Sequence, residues 1–337
     1  MGCASNEGAY LSEWVFYHLA LGVKQIRVYV NNTTDNSLAI LKKIGEYHPV
    51  SFVEADELIE TDWKSLNTRT NPNFITRSPA QAKCLVHAYE HCESDQFDYF
   101  LSLDIDEFLY APDGLDNAFK GADRRVLNFR WFNLSGDQEM FAPLANCRAG
   151  QWDDYTKFAA PTGVQNLQIQ DPHTCNIATD IGLTSQNAYV LHRNLRSLKE
   201  YFSILRKTVN VENTIALGIK QNRRGWRQQG PILFRPTEGY FCQYSSELQK
   251  FVTQTHVETE ILNARASVIA RADETVRLIE DMRIANASLS KVLIGTGVRH
   301  FDFWATVLDL VKWKVLLAVF PSLTHSHSEL KKALRKQ

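Results

Sequence analysis

Residues 99–109 read Tyr-Phe-Leu-Ser-Leu-Asp-Ile-Asp-Glu-Phe-Leu, an apolar run that meets three carboxylates and then becomes apolar again. Side chains of a strand alternate between its two faces, so this pattern predicts that Asp104 and Asp106 point the same way. Two neighbouring carboxylates repel each other unless a cation lies between them. A hard divalent ion such as Mg²⁺ or Mn²⁺, which also binds phosphates, meets that need with few protein ligands. The 19 aspartates of the chain would give about one Asp-x-Asp by chance, so the position of the motif matters more than its presence.

Size and composition limit the class of protein. The 337 residues are 44% hydrophobic, which is enough for one large domain with or without an appendage. Lys and Arg (37) nearly balance Asp and Glu (38), so no global positive field attracts nucleic acid. The six cysteines include no Cys-x-x-Cys pair, which favours reduced thiols in a cytoplasmic setting. Residues 1–7 lack the features of a secretory signal, and no run of 18 uncharged apolar residues predicts a spanning helix.

Alternating strands and helices are predicted for the first 131 residues. We expect helices at 9–21, 37–47 (capped by Ser37) and 79–93, and strands at 25–30, 50–55, 98–103 and 125–131. This alternation indicates βαβ units, and therefore an α/β fold with a mainly parallel sheet and helices on both faces. Ligands of such sheets bind beyond the carboxyl ends of the strands. Asp104 and Asp106 lie at one such end and the turn 31–35 at another, so we predict a nucleotide or phosphate pocket.

Four further motifs, in order, carry a resemblance to a known family. Residues 6–23 contain Asn-Glu, Tyr-Leu, Glu-Trp, Tyr-His and Leu-Gly-Val; residues 29–37 form a matching turn. Gln81 precedes the acidic stretch 104–109, and residues 130–136 read Arg-Trp-Phe-Asn-Leu-Ser-Gly. His173 and the segment 190–202, which contains His192, are similar to the closing signatures. Residues 5–210 thus resemble a group of glycosyltransferases that includes the bacterial family-2-like transferases and is similar to the animal family-92 galactosyltransferases.

The resemblance implies a GT-A fold, a Rossmann-like nucleotide-sugar domain, over residues 1–210, with residues 211–337 as a mostly helical extension. It implies a nucleotide-sugar donor such as a UDP-hexose and a glycan, polysaccharide or lipid-linked saccharide acceptor. It also implies Mn²⁺ or Mg²⁺ at the acidic motif, where the metal would neutralise the departing diphosphate as a Lewis acid. Similarity to family 92 favours transfer with inversion.

The same resemblance implies roles for individual residues. We expect the donor nucleotide to contact Asn6, Glu7, Asn31, Asp35, Gln81 and Asp104. We expect the metal to contact Asp104, Asp106, His173 and His192. An inverting transferase needs a base that deprotonates the acceptor hydroxyl. Asp137 is the first choice for that base, followed by Glu107 and Asp154.

One departure from the family opens alternatives. Relatives carry a full apolar strand before the Asn-Glu pair, whereas only residues 1–5 precede it here. Loss of a central strand would leave an exposed ladder and a gap in the nucleotide pocket. Either the chain starts further upstream, another segment replaces the strand, or the protein is a non-catalytic binding subunit. A sugar-phosphate nucleotidyltransferase is another alternative, although residues 3–8 lack the Gly-rich basic loop that such enzymes place after the first strand.

Other segments have two interpretations each. His18, on an apolar helix, indicates a hydrogen-bonded core histidine, and His87 with His91 indicates a surface pair. The basic loop 221–227 fits a diphosphate clamp or a solvated turn. Helices predicted over 246–282 are an addition to the first fold. Residues 301–323 are aromatic-rich and followed by basic residues, which fits a helix at the cytoplasmic face of a membrane, or packing against the catalytic domain or another subunit of a homo-oligomer.

Overall fold

The computed structural model describes residues 1–60, 79–92, 96–136, 139–164, 167–177, 180, 182–207, 214–215, 218–220, 223, 225–226, 231–281 and 292–296. The helices are α1 (Gly8–Ala20), α2 (Ser37–Gly45), α3 (Asp56–Glu60), α4 (Pro79–Glu90), α5 (Gly114–Ala118), α6 (Leu198–Leu205), α7 (Tyr244–Gln254) and α8 (Glu258–Asp281). The strands are β1 (Gly2–Ala4), β2 (Ile26–Val30), β3 (Val50–Glu54), β4 (Tyr99–Leu101), β5 (Leu103–Asp104), β6 (Glu107–Tyr110), β7 (Leu127–Leu134), β8 (Ala149–Pro161), β9 (Leu167–Asp171), β10 (Thr174–Ile177), β11 (Leu183–Thr184), β12 (Tyr189–His192), β13 (Thr214–Ile215), β14 (Ile219–Lys220) and β15 (Ile232–Leu233).

The first sheet is parallel and has the strand order β3-β2-β1-β5. Helices lie on both sides of it, so the predicted α/β class is confirmed. The expectation that the first strand is missing is wrong, because β1 lies in the centre of this sheet. Gly2 pairs with Val28 on one side and with Leu103 on the other. Three residues are enough for a strand here because both neighbours supply hydrogen bonds to it.

The second sheet is mixed, so the prediction of a mainly parallel sheet holds only for the first. Its order is β15-β8-β7-β12-β6, with β4 paired to β8 and β11 paired to β7. Among the strands that the structure describes in this sheet, only the β12–β7 and β11–β7 pairs are parallel. The strand predicted over 98–103 is split, because β4 joins the second sheet and β5 joins the first. Asp106 lies in the turn after β5, so the period-two alternation expected for Asp104 and Asp106 does not apply.

Helix ends follow the local sequence in most places. Gly22, at φ +104°, follows the last turn of α1, which ends where the sequence predicts. The Ser197 hydroxyl accepts a hydrogen bond from the Glu200 N–H, and the Glu200 carboxylate accepts one from the Ser197 N–H, which makes a capping box at α6. The predicted Ser37 cap is wrong, since Asn36 occupies the N-cap of α2 and Ser37 is its first residue. Ser37 instead donates its hydroxyl to Asp35 at 2.5 Å.

The main core lies between the parallel sheet and the helices α1, α2, α7 and α8. Leu11 and Val15 of α1 are fully buried there, together with Ile40 of α2. Phe251 of α7 and Ala264 of α8 belong to the same cluster, so helices from beyond residue 210 cover α1. None of the helices in the described ranges combines the length and the apolar composition that crossing a bilayer requires.

His18 is a core histidine, as the sequence predicts. It is 2% exposed; its Nδ1 lies 2.8 Å from the Trp14 carbonyl, and its Nε2 accepts from the Leu109 N–H at 3.4 Å. With Nδ1 as donor and Nε2 as acceptor, the neutral ring satisfies both contacts. Burial lowers the pKa of His18 to about 3. The folded protein therefore keeps this ring neutral at pH values where the unfolded chain protonates it.

This difference predicts a specific loss of stability in acid. Between the ordinary pKa of 6.5 and the folded value of about 3, His18 should lower the free energy of unfolding by about 1.4 kcal/mol per pH unit as the pH falls. Above pH ~6.5 the contribution is constant. Urea unfolding of wild type, His18→Leu and the exposed control His91→Leu, followed from about pH 7.5 to about pH 4.5, measures it. We expect a shallower slope only in His18→Leu; equal slopes in all three proteins would contradict the assignment.

Candidate functional site

Asp104 ends β5 at the carboxyl edge of the parallel sheet. Its Oδ1 accepts a hydrogen bond from Gln81 Nε2 at 2.6 Å, and its Oδ2 pairs with Lys157 Nζ at 2.8 Å. Lys157 also lies 3.2 Å from Glu107 Oε2, and its side chain is fully buried. These contacts join α4, the first sheet and the second sheet at one point. Both oxygens of Asp104 are therefore engaged by donors of the chain itself.

Glu107 stabilises the Asp104–Lys157 pair from a buried position. Its side chain is fully buried, and its Oε2 also accepts the Asp104 N–H at 2.7 Å. Burial raises the pKa of Glu107 to about 7, against the opposing effect of the Lys157 charge. The two carboxylates hold the pKa of Lys157 above its ordinary value although burial acts in the opposite direction. Glu107 therefore positions Lys157 and the Asp104 backbone. Its carboxylate is buried, so an acceptor hydroxyl does not reach it.

Asp106 faces a different partner, His192. Asp106 Oδ2 lies 3.7 Å from His192 Nε2, and His192 Nδ1 lies 2.9 Å from Asn133 Oδ1. Asn133 Nδ2 donates to Asp153 Oδ2 at 2.7 Å, which fixes its amide so that Oδ1 faces the imidazole. His192 Nδ1 must then be the donor, and Nε2 is directed to Asp106. Burial alone would raise the pKa of Asp106, but His192, Arg196 and Arg223 bring it well below its usual range.

His173 and His192 both contact Trp131. The ring centroids are 5.0 Å apart for Trp131 and His173, and 4.0 Å apart for Trp131 and His192. His173 Nδ1 lies 3.0 Å from the Thr156 carbonyl, and burial and the Lys157 charge lower the pKa of His173. The structure thus brings both predicted histidines beside the acidic motif. Within the described residues, however, no three His, Cys, Asp or Glu side chains are grouped so that they could hold a metal ion.

A basic cluster, which we define as Arg196, Lys207, Lys220 and Arg223, lies near Asp106 and Glu7. Glu7 pairs with Lys207 and, at 3.5 Å, with Arg196. Burial lowers the pKa of Lys207, and burial with the charges of Arg223 and Lys207 lowers that of Lys220 to about 7. Arg223 Nε is buried and has no hydrogen-bond partner in the described part of the chain. Four basic side chains lie around Glu7 and Asp106, with a third carboxylate, Glu200, near Arg196, so basic groups outnumber acidic ones there.

The remaining predicted donor residues hold the strand-end loops together. Asn6 Oδ1 accepts from the N–H groups of Thr34 (2.9 Å) and Asp35 (3.1 Å), and Asp35 Oδ2 accepts the Gly8 N–H at 2.8 Å. The Asn31 N–H donates to the Ala4 carbonyl at 3.0 Å. The loop after β1 and the turn after β2 are therefore joined at the same edge as Asp104.

The structure describes one of the two remaining candidates for the catalytic base. Asp154 is exposed on β8, whereas Asp137 lies outside the described residues. Sequence reasoning missed Lys157, Asn133 and Asp153, as well as Lys207 and Lys220 of the basic cluster. Asn133 lies within the motif 130–136, so that motif was a usable signal. Lys157 adjoins the apolar run 158–161 of a strand, which is the pattern of a buried and therefore paired lysine.

Loss of the Lys157 charge should leave two carboxylates without their cation. We expect Lys157→Met to lower the free energy of unfolding by about 3–5 kcal/mol, the usual cost of breaking a buried pair from one side. Lys250→Met is the control, because the Lys250–Glu247 pair is exposed and should contribute less than about 1 kcal/mol. Adding Glu107→Gln to Lys157→Met should restore part of the loss, since it removes one uncompensated charge. Chemical denaturation measures all three, and a Lys157→Met protein as stable as the control would contradict this role.

Comparison with known proteins gives two distant partial matches. A glycosyltransferase family 92 protein of Arabidopsis thaliana is 28% identical over 138 residues, 39% of this chain and 20% of the relative. A glycosyltransferase family 92 protein of Ricinus communis is 27% identical over 111 residues, 33% of this chain and 16% of the relative. The chain thus spans about a fifth of the length of these relatives or less. No protein-family model matches it. Part of this chain is thus similar to part of two glycosyltransferase family 92 proteins.

Proposed function

We propose that this chain transfers a hexose from a nucleotide sugar, such as a UDP-hexose, to a glycan, polysaccharide or lipid-linked saccharide acceptor, with inversion. One observation carries the proposal beyond the similarity to family 92. Asp106, His192 and the basic cluster meet at the edge where parallel strands end, which is where such sheets bind ligands. The surplus of positive charge suits a nucleoside diphosphate, both as part of the donor and as the leaving group.

A divalent metal fits this site through Asp106 and His192. Asn133 holds His192 Nδ1 as a donor, and a metal-binding histidine characteristically donates its other ring N–H in this way. An imidazole nitrogen and a carboxylate oxygen are accepted by Mn²⁺, and either Mn²⁺ or Mg²⁺ takes further ligands from phosphates and water. When bound, the ion would supply Lewis-acid neutralisation of the leaving diphosphate. Since both oxygens of Asp104 are engaged, we assign Asp104 to the support of the site rather than to the metal.

The basic cluster would neutralise the same diphosphate with side chains of the chain itself. Burial disfavours the charged forms of Lys207 and Lys220, and nearby cations add to this effect, so a phosphate oxygen beside them would favour the charged forms. Arg223 offers a buried N–H that has no partner in the described residues. Arg196 is held in place by Glu7 and by the Tyr10 ring, 3.4 Å from its guanidinium carbon. Such charge-assisted hydrogen bonds strengthen as the leaving group gains charge.

Deprotonation of the acceptor hydroxyl belongs to a carboxylate that the acceptor can reach. We retain Asp137 as the first choice and Asp154, exposed on β8, as the second. Glu107 is enclosed and is assigned to positioning Asp104 and Lys157. We further propose the GT-A form of the α/β fold for residues 1–210, and a C-terminal extension whose described part contains α7 and α8. Peripheral contact with a membrane through 301–323 and homo-oligomer formation remain predictions, since 301–323 lies outside the described residues.

The alternatives have less support. The main argument for a non-catalytic subunit was the missing first strand, and β1 occupies that position. A nucleotidyltransferase would need a Gly-rich basic loop after β1, whereas residues 5–8 are Ser-Asn-Glu-Gly and Asn6 is used to hold the next turn.

Thermal stabilisation by nucleotide sugars tests the proposed donor site. We expect at least one of a set of UDP-, GDP- and CMP-sugars to raise the Tm in the presence of Mn²⁺. Asp106→Asn should abolish that increase, and the control Asp116→Asn, on the exposed side of α5, should retain it. Stabilisation that is unchanged in Asp106→Asn would remove this carboxylate from the site. Absence of stabilisation by every nucleotide sugar would contradict the proposed function.

A second measurement isolates the basic cluster. Lys207→Met should weaken UDP binding roughly 10- to 100-fold, because a hydrogen bond from a charged donor contributes about 1.5–3 kcal/mol. Lys199→Met is the matched control and should leave the affinity unchanged, because Lys199 is a half-exposed lysine of α6, the helix that precedes Lys207, and pairs with Asp273. Calorimetric titration with UDP at low and high salt should show a smaller salt dependence for Lys207→Met. Equal affinities of the two variants would exclude Lys207 from diphosphate binding.

A further inference from the structure

A cavity of about 370 Å³ lies among β7, β8, β11 and the β9–β10 hairpin. We call it the polar cavity. Its lining is unusual in carrying hydroxyl and amide groups without a carboxylate, lysine or arginine among the residues that the structure places there. The hydroxyls belong to Thr156, Thr174 and Thr184, and the amides to Asn128, Gln170 and Asn176. His173 completes the polar part of the lining, and Cys175 is buried at its base.

This lining selects an uncharged polar ligand. Hydroxyl and side-chain amide groups both donate and accept hydrogen bonds, as the hydroxyls of a saccharide do. A purely apolar ligand could not use the hydrogen-bonding capacity of these groups. A strongly charged ligand would find no opposite charge in the lining. The volume lies in the range of about 300–1,000 Å³ that is usual for small-ligand sites.

The polar cavity shares a wall with the candidate site. Thr156 lines the cavity, while Lys157, the next residue of β8, is turned towards Asp104. His173 lines the cavity and contacts Trp131, which in turn contacts His192. A ligand in the cavity is thus separated from the proposed position of the diphosphate by the Trp131 and His173 rings.

The exposed ring of Tyr155 adds a second surface that suits a saccharide. Tyr155 is 48% exposed and its ring lies 5.6 Å from His173 and 5.4 Å from Trp131, measured between centroids. Aromatic rings with one polar end favour positions where an apolar face meets a wet surface. The C–H face of a sugar ring offers such an apolar face, while its hydroxyls remain available to the amides.

We propose that the polar cavity binds a neutral saccharide unit of the acceptor. The assignment of that saccharide as the acceptor rests on the proposed function, whereas the binding of a neutral saccharide does not. The nucleoside of the donor is the competing occupant. The observations favour the saccharide, because the basic cluster that suits the diphosphate contributes no residue to this lining.

Saturation-transfer NMR with lactose, chitobiose and maltose as probes tests the proposal on the full chain, with and without UDP and Mn²⁺. We expect at least one disaccharide to bind. Asn176→Ala and Thr174→Val should each weaken that binding about three- to tenfold, the effect of losing one hydrogen bond. Tyr155→Ala, at an exposed position that does not endanger folding, should weaken it as well. Gln249→Ala, which removes an amide from the exposed face of α7, is the control and should bind as wild type does.

The outcomes separate this inference from the proposed function. Binding of UDP without binding of any disaccharide contradicts saccharide binding in the polar cavity but supports the proposed donor site. Binding of a disaccharide that the cavity variants weaken, without binding of UDP, supports the cavity and contradicts the transferase. Cavity variants that weaken the binding of UDP rather than that of the disaccharide would place the nucleoside in the cavity and overturn the proposal. Equal disaccharide binding by the cavity variants and Gln249→Ala would overturn it as well.

Discussion

Lys157 is a charged side chain without solvent exposure, and its two carboxylate partners come from the strands on either side of the Asp104–Glu107 turn. A buried lysine is costly to desolvate, so this position is tolerable only while both Asp104 and Glu107 stay in reach. That condition favours the register of β8 that directs Lys157 towards the acidic motif. A shift of β8 by one residue would present Thr156 or Phe158 to the carboxylates and leave the buried Glu107 and the partly exposed Asp104 without a cation. The meeting of the two sheets at the acidic motif depends on this ion-pair triad.

Asp104 and Glu107 belong to this triad and Asp106 does not, so the carboxylates of the acidic motif have different roles. Asp104 accepts from Gln81 and pairs with Lys157, and Glu107 pairs with Lys157 and accepts the Asp104 N–H, so both carboxylates hold the site together. Asp106, in the turn between β5 and β6, faces His192 and the basic cluster. Spacing within a sequence motif therefore does not imply a shared role. The partner that each carboxylate meets across the fold decides whether it supports the site or serves a ligand.

Local features of the sequence were sufficient for much of the fold. The apolar composition of α1 and the β-branched run of β2 lie within short segments, and both elements were predicted close to their observed bounds. Features that depend on distant partners were not predictable in this way. Gly2–Ala4 is a strand only because β2 and β5 flank it. In the same way, the sequence near His192 carries no sign that Asn133 and Asp153 orient its ring.

The basic cluster would favour the transition state of the proposed reaction over the bound donor. In the free protein, burial lowers the pKa of Lys207 against the effect of Glu7, and burial with the charges of Arg223 and Lys207 lowers the pKa of Lys220. Both lysines are therefore costly to keep charged in the ligand-free state, and a bound anion would lower that cost. The diphosphate of a nucleotide sugar gains negative charge as its bond to the sugar breaks. A site with a fixed positive surplus therefore stabilises the transition state more than the bound donor, which is the condition for a higher rate rather than tighter binding alone.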